Sequence, residues 1–209
     1  MTKTEIGAIR EYLNNKNLEL DSSVLDKIVL LKNKAIANCN EKVANELYLL
    51  QSIFNIQNNY IQMYNLLKNN SDEGYEKSWI LREKIDIQMQ IHRNSHDYNY
   101  DFAMIKFIDE AIKRYKYLYP YKLFSSREMV IKKERCSICG KVRSIRNNCE
   151  HIPGKIYMGQ MCYSIVEDAE LKGFAIVENP EDDYTFLKLE GTKFNYEVLN
   201  ILMRGLNSP

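Results

Sequence analysis

Four of the five cysteines of this chain fall within residues 136–162, together with one histidine. The first two form a Cys-x2-Cys step followed by Gly140. Two thiolates at that spacing can turn toward one ion, and the glycine lets the backbone bend back. The full spacing is C-x2-C-x9-C-x-H-x10-C, which offers five donors to a tetrahedral ion that needs four. The sequence therefore predicts a metal site with the candidate ligands Cys136, Cys139, Cys149, His151 and Cys162.

The predicted cofactor is Zn²⁺, because zinc suits thiolate and imidazole ligands in tetrahedral sites and adds no redox chemistry. Cys136 and Cys139 are expected ligands, and Cys162 is expected to complete the far side of the site. The remaining place belongs to Cys149 or His151. An all-cysteine set with Cys149 is favoured, since it closes a structural site and leaves His151 to support the ligands from outside. Three cysteines with His151 are the alternative.

These residues resemble a zinc-binding module of bacterial and phage proteins, of the zinc-ribbon or treble-clef kind. The resemblance is carried by Cys-Ser-Ile-Cys-Gly, then Cys-Glu-His-Ile-Pro-Gly-Lys-Ile-Tyr-Met-Gly, then Cys. In that module a short strand-rich tail follows the last cysteine, which here would end near Pro180. The resemblance covers about residues 136–180. It implies a zinc site and an accessory role in a phage-related or defence system, and it leaves the first part of the chain unexplained.

The stretch Glu150-His151-Ile152-Pro153 is also similar to the HNH nucleases, in which the first histidine activates water for attack on a phosphodiester. That family completes its metal site with a later asparagine and histidine. This chain has no histidine after His151, and its second cysteine pair is reduced to Cys162. A metal-dependent, HNH-like nuclease is therefore a lesser alternative.

The other two histidines, His92 and His96, are four residues apart, a spacing that shares a face on a helix. The zinc-peptidase motif requires glutamate after the first histidine, where this chain has Arg93. The segment faintly resembles the Arg-x4-6-His element of HEPN ribonucleases, although the spacing from Arg93 to His96 is too short. A polar helix end or turn is the simpler interpretation.

The elements that must position these residues differ on the two sides of Pro120. Residues 1–118 contain no proline and only two glycines, which predicts helices. The longest helix would need the following helices or another chain to bury its apolar stripe. The fold class is thus mainly α with a small α+β part: an elongated helical bundle or antiparallel coiled coil over 1–120, then a zinc-binding α+β domain over 121–209. The expected helices cover residues 4–15, 22–70, 75–92 and 99–118. The sequence leaves open whether the second of these is continuous or broken near Asn38-Cys39-Asn40.

Beyond Pro120, short apolar runs predict strands, and Asn195 is expected to begin a final helix that Gly205 ends. The predicted strands cover residues 129–132, 163–166, 173–177 and 185–189.

Charge is segregated in this second part. Residues 120–148 hold eight basic and two acidic side chains, and residues 165–190 hold eight acidic and two basic ones. Two solvated faces that attract each other are the favoured interpretation. Nucleic-acid binding through the basic stretch is the alternative. Its candidate residues are Lys122, Arg127, Lys132, Lys133, Arg135, Lys141, Arg143 and Arg146.

Aromatic residues surround the predicted junction. Tyr115, Tyr117, Tyr119 and Tyr121 alternate there and are expected to pack the two parts together, with base stacking as the alternative. Trp79 and Cys39 are expected in the core.

Composition excludes several classes of protein. The formal net charge is +1, so the chain is not a strongly basic nucleic-acid binder. No apolar run is long enough for a membrane span, and the residues after Met1 lack the apolar core of a signal peptide. The expected protein is cytoplasmic and non-enzymatic. It would be a zinc-stabilised interaction or scaffold protein that binds a protein partner, or itself, through the helical part.

Overall fold

The structure is a computed structural model that describes residues 3–15, 19–93, 102–144, 146–180, 183–188, 191 and 193–207. About 56% of it is helical, and a small antiparallel sheet accompanies the helices, which confirms a mainly α fold with a small β part. Among the described residues, no helix combines the length and hydrophobicity needed to cross a bilayer. The helices are α1 (Lys3–Asn14), α2 (Ser22–Ala37), α3 (Glu41–Lys68), α4 (Asp72–Arg93), α5 (Ile105–Lys116) and α6 (Glu197–Asn207), with short 3-10 helices at Phe102–Met104 and Asp183–Thr185.

Helix α3 is the centre of the helical body. Its 28 residues span about 42 Å at about 1.5 Å per residue. Helices α1, α2, α4 and α5 pack around it, so the long apolar stripe is buried within one chain. A helical bundle is present, and a coiled coil is not confirmed. The buried residues that α3 contributes to this core include Ala44, Leu47, Leu50, Ile53, Phe54, Ile56 and Met63.

The candidate helix over residues 22–70, whose continuity the sequence leaves open, is two helices with a break at residues 38–40. Helix α2 ends at Ala37, and Cys39 adopts a left-handed backbone conformation with φ 52°. The side chain of Asn40 then caps α3 by accepting a hydrogen bond from the Val43 amide. This turn folds α2 back against α3. It also places Cys39 on the surface, contrary to the expected core position.

A second core of aromatic residues joins the helical body to the C-terminal part. Trp79 is 1% exposed, and its ring contacts those of Tyr119 and Tyr121, both at 4.8 Å between ring centres. Packing is therefore confirmed for these two tyrosines, whereas Tyr117 is 85% exposed. The predicted boundary at residue 120 passes through this core, and the division into two domains stays a prediction. The other buried members are Leu67, Tyr75, Phe124, Tyr196, Leu199 and Met203.

Two long antiparallel strands carry the chain from this core to the cysteines. The predicted strands at 163–166 and 173–177 belong to one strand, Ser164–Val177, whose pairing with its neighbour shifts register at bulges. The strand predicted at 185–189 is wrong for the described residues, since Thr185 ends a 3-10 helix and Phe186 makes only an isolated bridge to Phe124. The strands are β1 (Phe124–Cys136), β2 (Val142–Arg143), β3 (Ile156–Tyr157), β4 (Gln160–Met161) and β5 (Ser164–Val177).

The final helix begins as predicted. The amide of Glu197 donates a 2.9 Å hydrogen bond to Asn195 Oδ1, which helps to satisfy the first turn. The helix passes through Gly205 and ends at Asn207, because a glycine weakens a helix without preventing it.

A buried ionic cluster lies beside the aromatic core, and no motif or spacing in the sequence predicts it. The Arg82 guanidinium is 2% exposed and bonds to Asp183 at 2.5 Å and to Glu83 at 2.9 Å. Lys116 reaches Asp183 from the rim at 2.8 Å. Burial raises the pKa of Glu83. The cluster fixes the segment before α6 to α4, because each buried charge needs its partner.

Replacing Asp183→Ala should lower the free energy of unfolding by about 3–5 kcal/mol, because it leaves Arg82 buried without its closest carboxylate. Urea unfolding followed by circular dichroism measures the change. Glu178→Ala, at an exposed position without an ion pair among the described residues, is the control and should change stability by less than about 0.5 kcal/mol. Equal unfolding midpoints for the two variants would show that the cluster contributes no stability.

Candidate metal centre

The Cys-x2-Cys step sits where β1 turns into β2. The Gly140 amide donates to the Cys136 carbonyl at 2.9 Å, and the Cys136 amide donates to the Lys141 carbonyl at 2.9 Å. Gly140 has φ +70°, a conformation that L side chains adopt at a cost. The resulting tight turn brings Cys139 back beside Cys136.

The other donors come from the loop after β2 and from the end of the β3–β4 hairpin. The Cys162 amide donates to the Lys155 carbonyl, and the Gly154 amide donates to the Cys162 carbonyl, both at 2.8 Å. These bonds fix Cys162 to the segment that follows His151. The His151 ring packs edge-on against Tyr157 at 4.7 Å between ring centres.

The donor atoms converge on one point. The sulfurs of Cys136, Cys139 and Cys149 and one ring nitrogen of His151 all lie within 4.8 Å of one another. The Sγ atoms of Cys136 and Cys162 are 3.9 Å apart. Two thiolates bound tetrahedrally at about 2.3 Å from one zinc ion would be about 3.8 Å apart. The cluster can therefore hold a metal ion.

An unpartnered polar atom supports the same fit. The Nδ1 atom of His151 is buried and has no hydrogen-bond partner among the described residues. A buried polar atom without a partner is costly, and a bound cation would remove that cost if this nitrogen were the ligand.

Arg143 lies among the cysteines. Its guanidinium donates to Cys162 Sγ at 3.1 Å, to the His151 carbonyl at 2.9 Å and to Ser164 Oγ at 3.0 Å. Arg143 is one of the candidate nucleic-acid-binding residues, and the structure places it among the clustered cysteines instead. The antiparallel register of β1 and β2 pairs Glu134 with Arg143 and carries it there. Motif spacing alone gives no signal of that pairing.

The cysteines influence one another's ionisation. Burial alone raises the pKa of Cys136, but hydrogen bonds from the backbone of Cys139 and Ile138 and from Arg143 outweigh it and lower that pKa to about 5. Burial first, and then hydrogen bonding and charge repulsion from Cys136, raise the pKa of Cys162. One thiolate thus opposes the ionisation of its neighbour. A divalent cation would reverse that opposition, since metal binding deprotonates thiol ligands.

The other basic candidates lie mostly against carboxylates. Lys133 and Arg135 on β1 both bond to Glu167 on β5, at 2.8 and 2.7 Å, and Lys132 bonds to Glu170 at 2.8 Å. The oppositely charged segments therefore pair as two strands of one sheet. This agrees with the favoured interpretation that the two charged segments attract each other.

Three basic candidates remain exposed without an ion pair in the part of the chain that the structure describes: Lys122, Arg127 and Arg146. Lys141 donates to the Asn148 carbonyl at 3.1 Å. An open cleft of about 720 Å³ beside β2 is lined by Lys132, Lys133 and Arg146, among others. Nucleic-acid binding through this stretch stays a prediction.

The histidine segment of α4 has a packing role where it is described. His92 is 3% exposed, its Nε2 lies 3.0 Å from Ser52 Oγ, and burial lowers its pKa to about 4. Arg93 bonds to Asp86 and Asp109, which ties α4 to α5. His96 lies outside the described residues, so the HEPN-like alternative stays a prediction.

Helix α3 positions the β3–β4 hairpin, which leads to Cys162. The Asn45 side chain donates to the Ile156 carbonyl at 3.2 Å and accepts from the Gly159 amide at 2.8 Å. A Cβ at Gly159 would lie 3.2 Å from the Ala44 carbonyl oxygen, and Gly159 has φ +72°. Glycine is thus required twice at this position, for its conformation and for the close approach to α3.

Comparison with protein-family models found no matching family, and searches among curated proteins and solved structures found no match. The case for a metal centre therefore rests on the geometry of its donors.

Gly159→Ala should lower the free energy of unfolding by about 2–3 kcal/mol, through backbone strain and through contact with α3. Gly154→Ala is the matched control, because its φ is +85° and a Cβ there meets nothing within 4 Å. It should cost only about 1 kcal/mol, which is the strain alone. Urea unfolding measures the free energy of unfolding of both variants. Equal losses of that free energy would contradict a tight contact between the β3–β4 hairpin and α3.

Proposed function

We propose that the cysteine cluster binds one zinc ion in a closed structural site, and that this protein is a non-enzymatic, zinc-stabilised interaction protein. The observation that supports the site is the convergence of three sulfurs and a ring nitrogen within 4.8 Å of one another. Thiolate and imidazole donors in a tetrahedral arrangement favour zinc over oxygen-seeking cations such as Mg²⁺ and Ca²⁺.

Five donors compete for four positions. The mutual distances favour Cys136, Cys139, Cys149 and His151 as the ligands. Cys162 has another partner, because Arg143 donates to its sulfur at 3.1 Å. Under this proposal Cys162 holds Arg143 beside the ligands, and Arg143 offsets part of their negative charge. The two sets that include Cys162 are the alternatives.

A structural site fits better than a catalytic one. Four protein ligands fill a tetrahedral zinc ion and leave no place for water or substrate. The strands around the site, β2, β3 and β4, have two residues each, and the large apolar residues Ile152 and Tyr163 beside them are more than half exposed. Such a segment has little core of its own, so the metal would supply part of its folding energy.

The interaction role is supported by large apolar side chains that stay exposed. Phe174 and Ile176 on β5 are each 69% exposed, and Phe107 on α5 is 53% exposed. Large exposed apolar patches on a soluble protein mark surfaces for partners. An accessory role in a phage-related or defence system is carried only by the resemblance of the cysteine module.

Metal analysis by mass spectrometry, on protein purified without added metal, should find one zinc ion per chain. Cys149→Ser and His151→Ala should each lose it, because each removes one of four ligands. Cys162→Ser should keep it. Cys39→Ser, at the exposed cysteine outside the cluster, is the control and should also keep it.

A parent protein without metal, whose clustered thiols all react with a thiol reagent in the folded state, would overturn the zinc site. Loss of zinc in Cys162→Ser, with retention in His151→Ala, would instead assign the four cysteines as the ligands.

Removing the metal with a chelator should expose the segment that holds the ligands, residues 136–162, while the helical body stays folded. The physical reason is that this segment depends on the ion, whereas α1–α5 bury their own core. Trypsin should then cut within residues 141–155, and the helical circular dichroism should fall by less than about a tenth. A complete loss of helical signal on chelation would contradict this separation.

A further inference from the structure

The pair of long strands β1 and β5, here called the ribbon, is the least covered part of the described fold. Strand β2 pairs with β1 only at Glu134 and Arg135, so most of the ribbon has just two strands. Two strands alone are marginally stable in water, and a third strand or a covered face is normally needed.

The two faces of the ribbon differ in chemistry. One face holds the ion pairs of Lys132, Lys133 and Arg135 with Glu167 and Glu170. Lys132 and Lys133 share this face although they are neighbours, because a bulge falls between Ile131 and Lys133. The other face follows from the register, because residues directly opposite each other share a face and alternate residues return to it. Its cross-strand pairs are Ser125 with Ile176, Arg127 with Phe174, Met129 with Leu171 and Ile131 with Ala169.

This second face, the apolar face, is exposed to solvent. Phe174 and Ile176 are 69% exposed, Ile131 is 51% exposed, and Met129 and Leu171 are 49% exposed. With full side-chain surfaces of about 150–250 Å², these five residues present on the order of 500 Å² of apolar surface. That area is toward the upper end of the largest apolar patch on a typical monomer, and it would form the apolar centre of an interface in which each partner buries about 800 Å².

Charge decides against a nucleic acid as the occupant. The strands of the ribbon carry five basic and five acidic residues, so their net charge is zero. Most of the basic ones already pair with carboxylates on the opposite face. A polyanion would therefore gain little from this surface, since phosphate contacts dominate such binding.

Two charges of opposite sign lie on the apolar face. Arg127 is opposite Phe174, one pair in from the Ser125–Ile176 end, and Glu134, counted past one extra residue at the bulge, lies beyond Ile131 at the other end. Neither forms an ion pair in the described part of the chain. A surface with a positive charge toward one end and a negative charge at the other is complementary to a copy of itself turned end for end.

We propose that the apolar face binds the apolar face of a second copy of this chain, about a two-fold axis that crosses the strands. Arg127 of each copy then meets the partner subunit's Glu134, and both charge pairs form at once because the interface is isologous. The apolar side chains interdigitate between two layers about 10 Å apart, as in other stacked sheets. The inference deepens the proposed interaction role and rests on it.

The test measures the mass of the full-length, metal-containing protein by sedimentation equilibrium over a wide range of concentrations. The expected mass is twice the 24.7 kDa of one chain. Met129→Lys should reduce it to that of a single chain. Val130→Lys is the matched control, because Val130 is 47% exposed on the neighbouring position and faces the other way. It should leave the dimer intact.

Charge reversal tests the two-fold arrangement. Arg127→Glu and Glu134→Arg should each raise the dissociation constant about tenfold or more, because each places two like-charge pairs in the interface. The double variant should restore the parent value. Failure of the double variant to recover would overturn the proposed pairing.

A parent protein that stays monomeric with its zinc in place overturns the ribbon dimer and leaves the zinc site intact. A dimer that Met129→Lys does not disrupt also overturns it and moves the interface to another surface, such as the helical part. A parent that dimerises as expected but contains no metal supports the ribbon dimer and overturns the zinc site alone.

Discussion

Thiolates that converge on one point repel one another unless positive charge lies among them, and the C-terminal part of this molecule depends on that constraint. Cys136 and Cys162 are both buried, with sulfurs 3.9 Å apart. Arg143 supplies one positive charge at the edge of the cluster. A divalent ion at its centre would supply the rest and give three two-residue strands a common anchor.

Helix α3 relates this cluster to the rest of the fold. Near its first turn, Asn45 bonds to the β3–β4 hairpin that leads to Cys162, and near its last turn, Leu67 belongs to the aromatic core. The ribbon joins the same two places, because Phe124 lies in the aromatic core and Cys136 in the candidate metal centre. Helix α3 and the ribbon thus each connect the aromatic core with the candidate metal centre, and each of these two places limits the movement of the other.

The sequence predicted the parts of this fold that depend on local pattern. The helices of the first part, the grouping of the four cysteines with His151, and the cap at Asn195 follow from spacing and residue type. For the long helix, the sequence marks Asn38-Cys39-Asn40 as the place of a break but does not decide between a break and a continuous helix, since the apolar stripe runs on past these three residues. Arg143 and the Arg82–Asp183 pair depend on which distant segments meet, and the pattern along one segment carries no information on that. The same holds for the apolar face of the ribbon, which appears only once the register of the two strands is known.

Trp79 has a consequence for how this molecule can be observed. It is the only tryptophan in the chain, and its indole donates a 2.8 Å hydrogen bond to the Asp183 carbonyl inside the aromatic core. Its ultraviolet emission therefore comes from one place, the junction between the helical body and the last segment. A change in emission wavelength would report water entering that junction, and an unchanged spectrum would report a junction that stays dry while other parts of the chain rearrange.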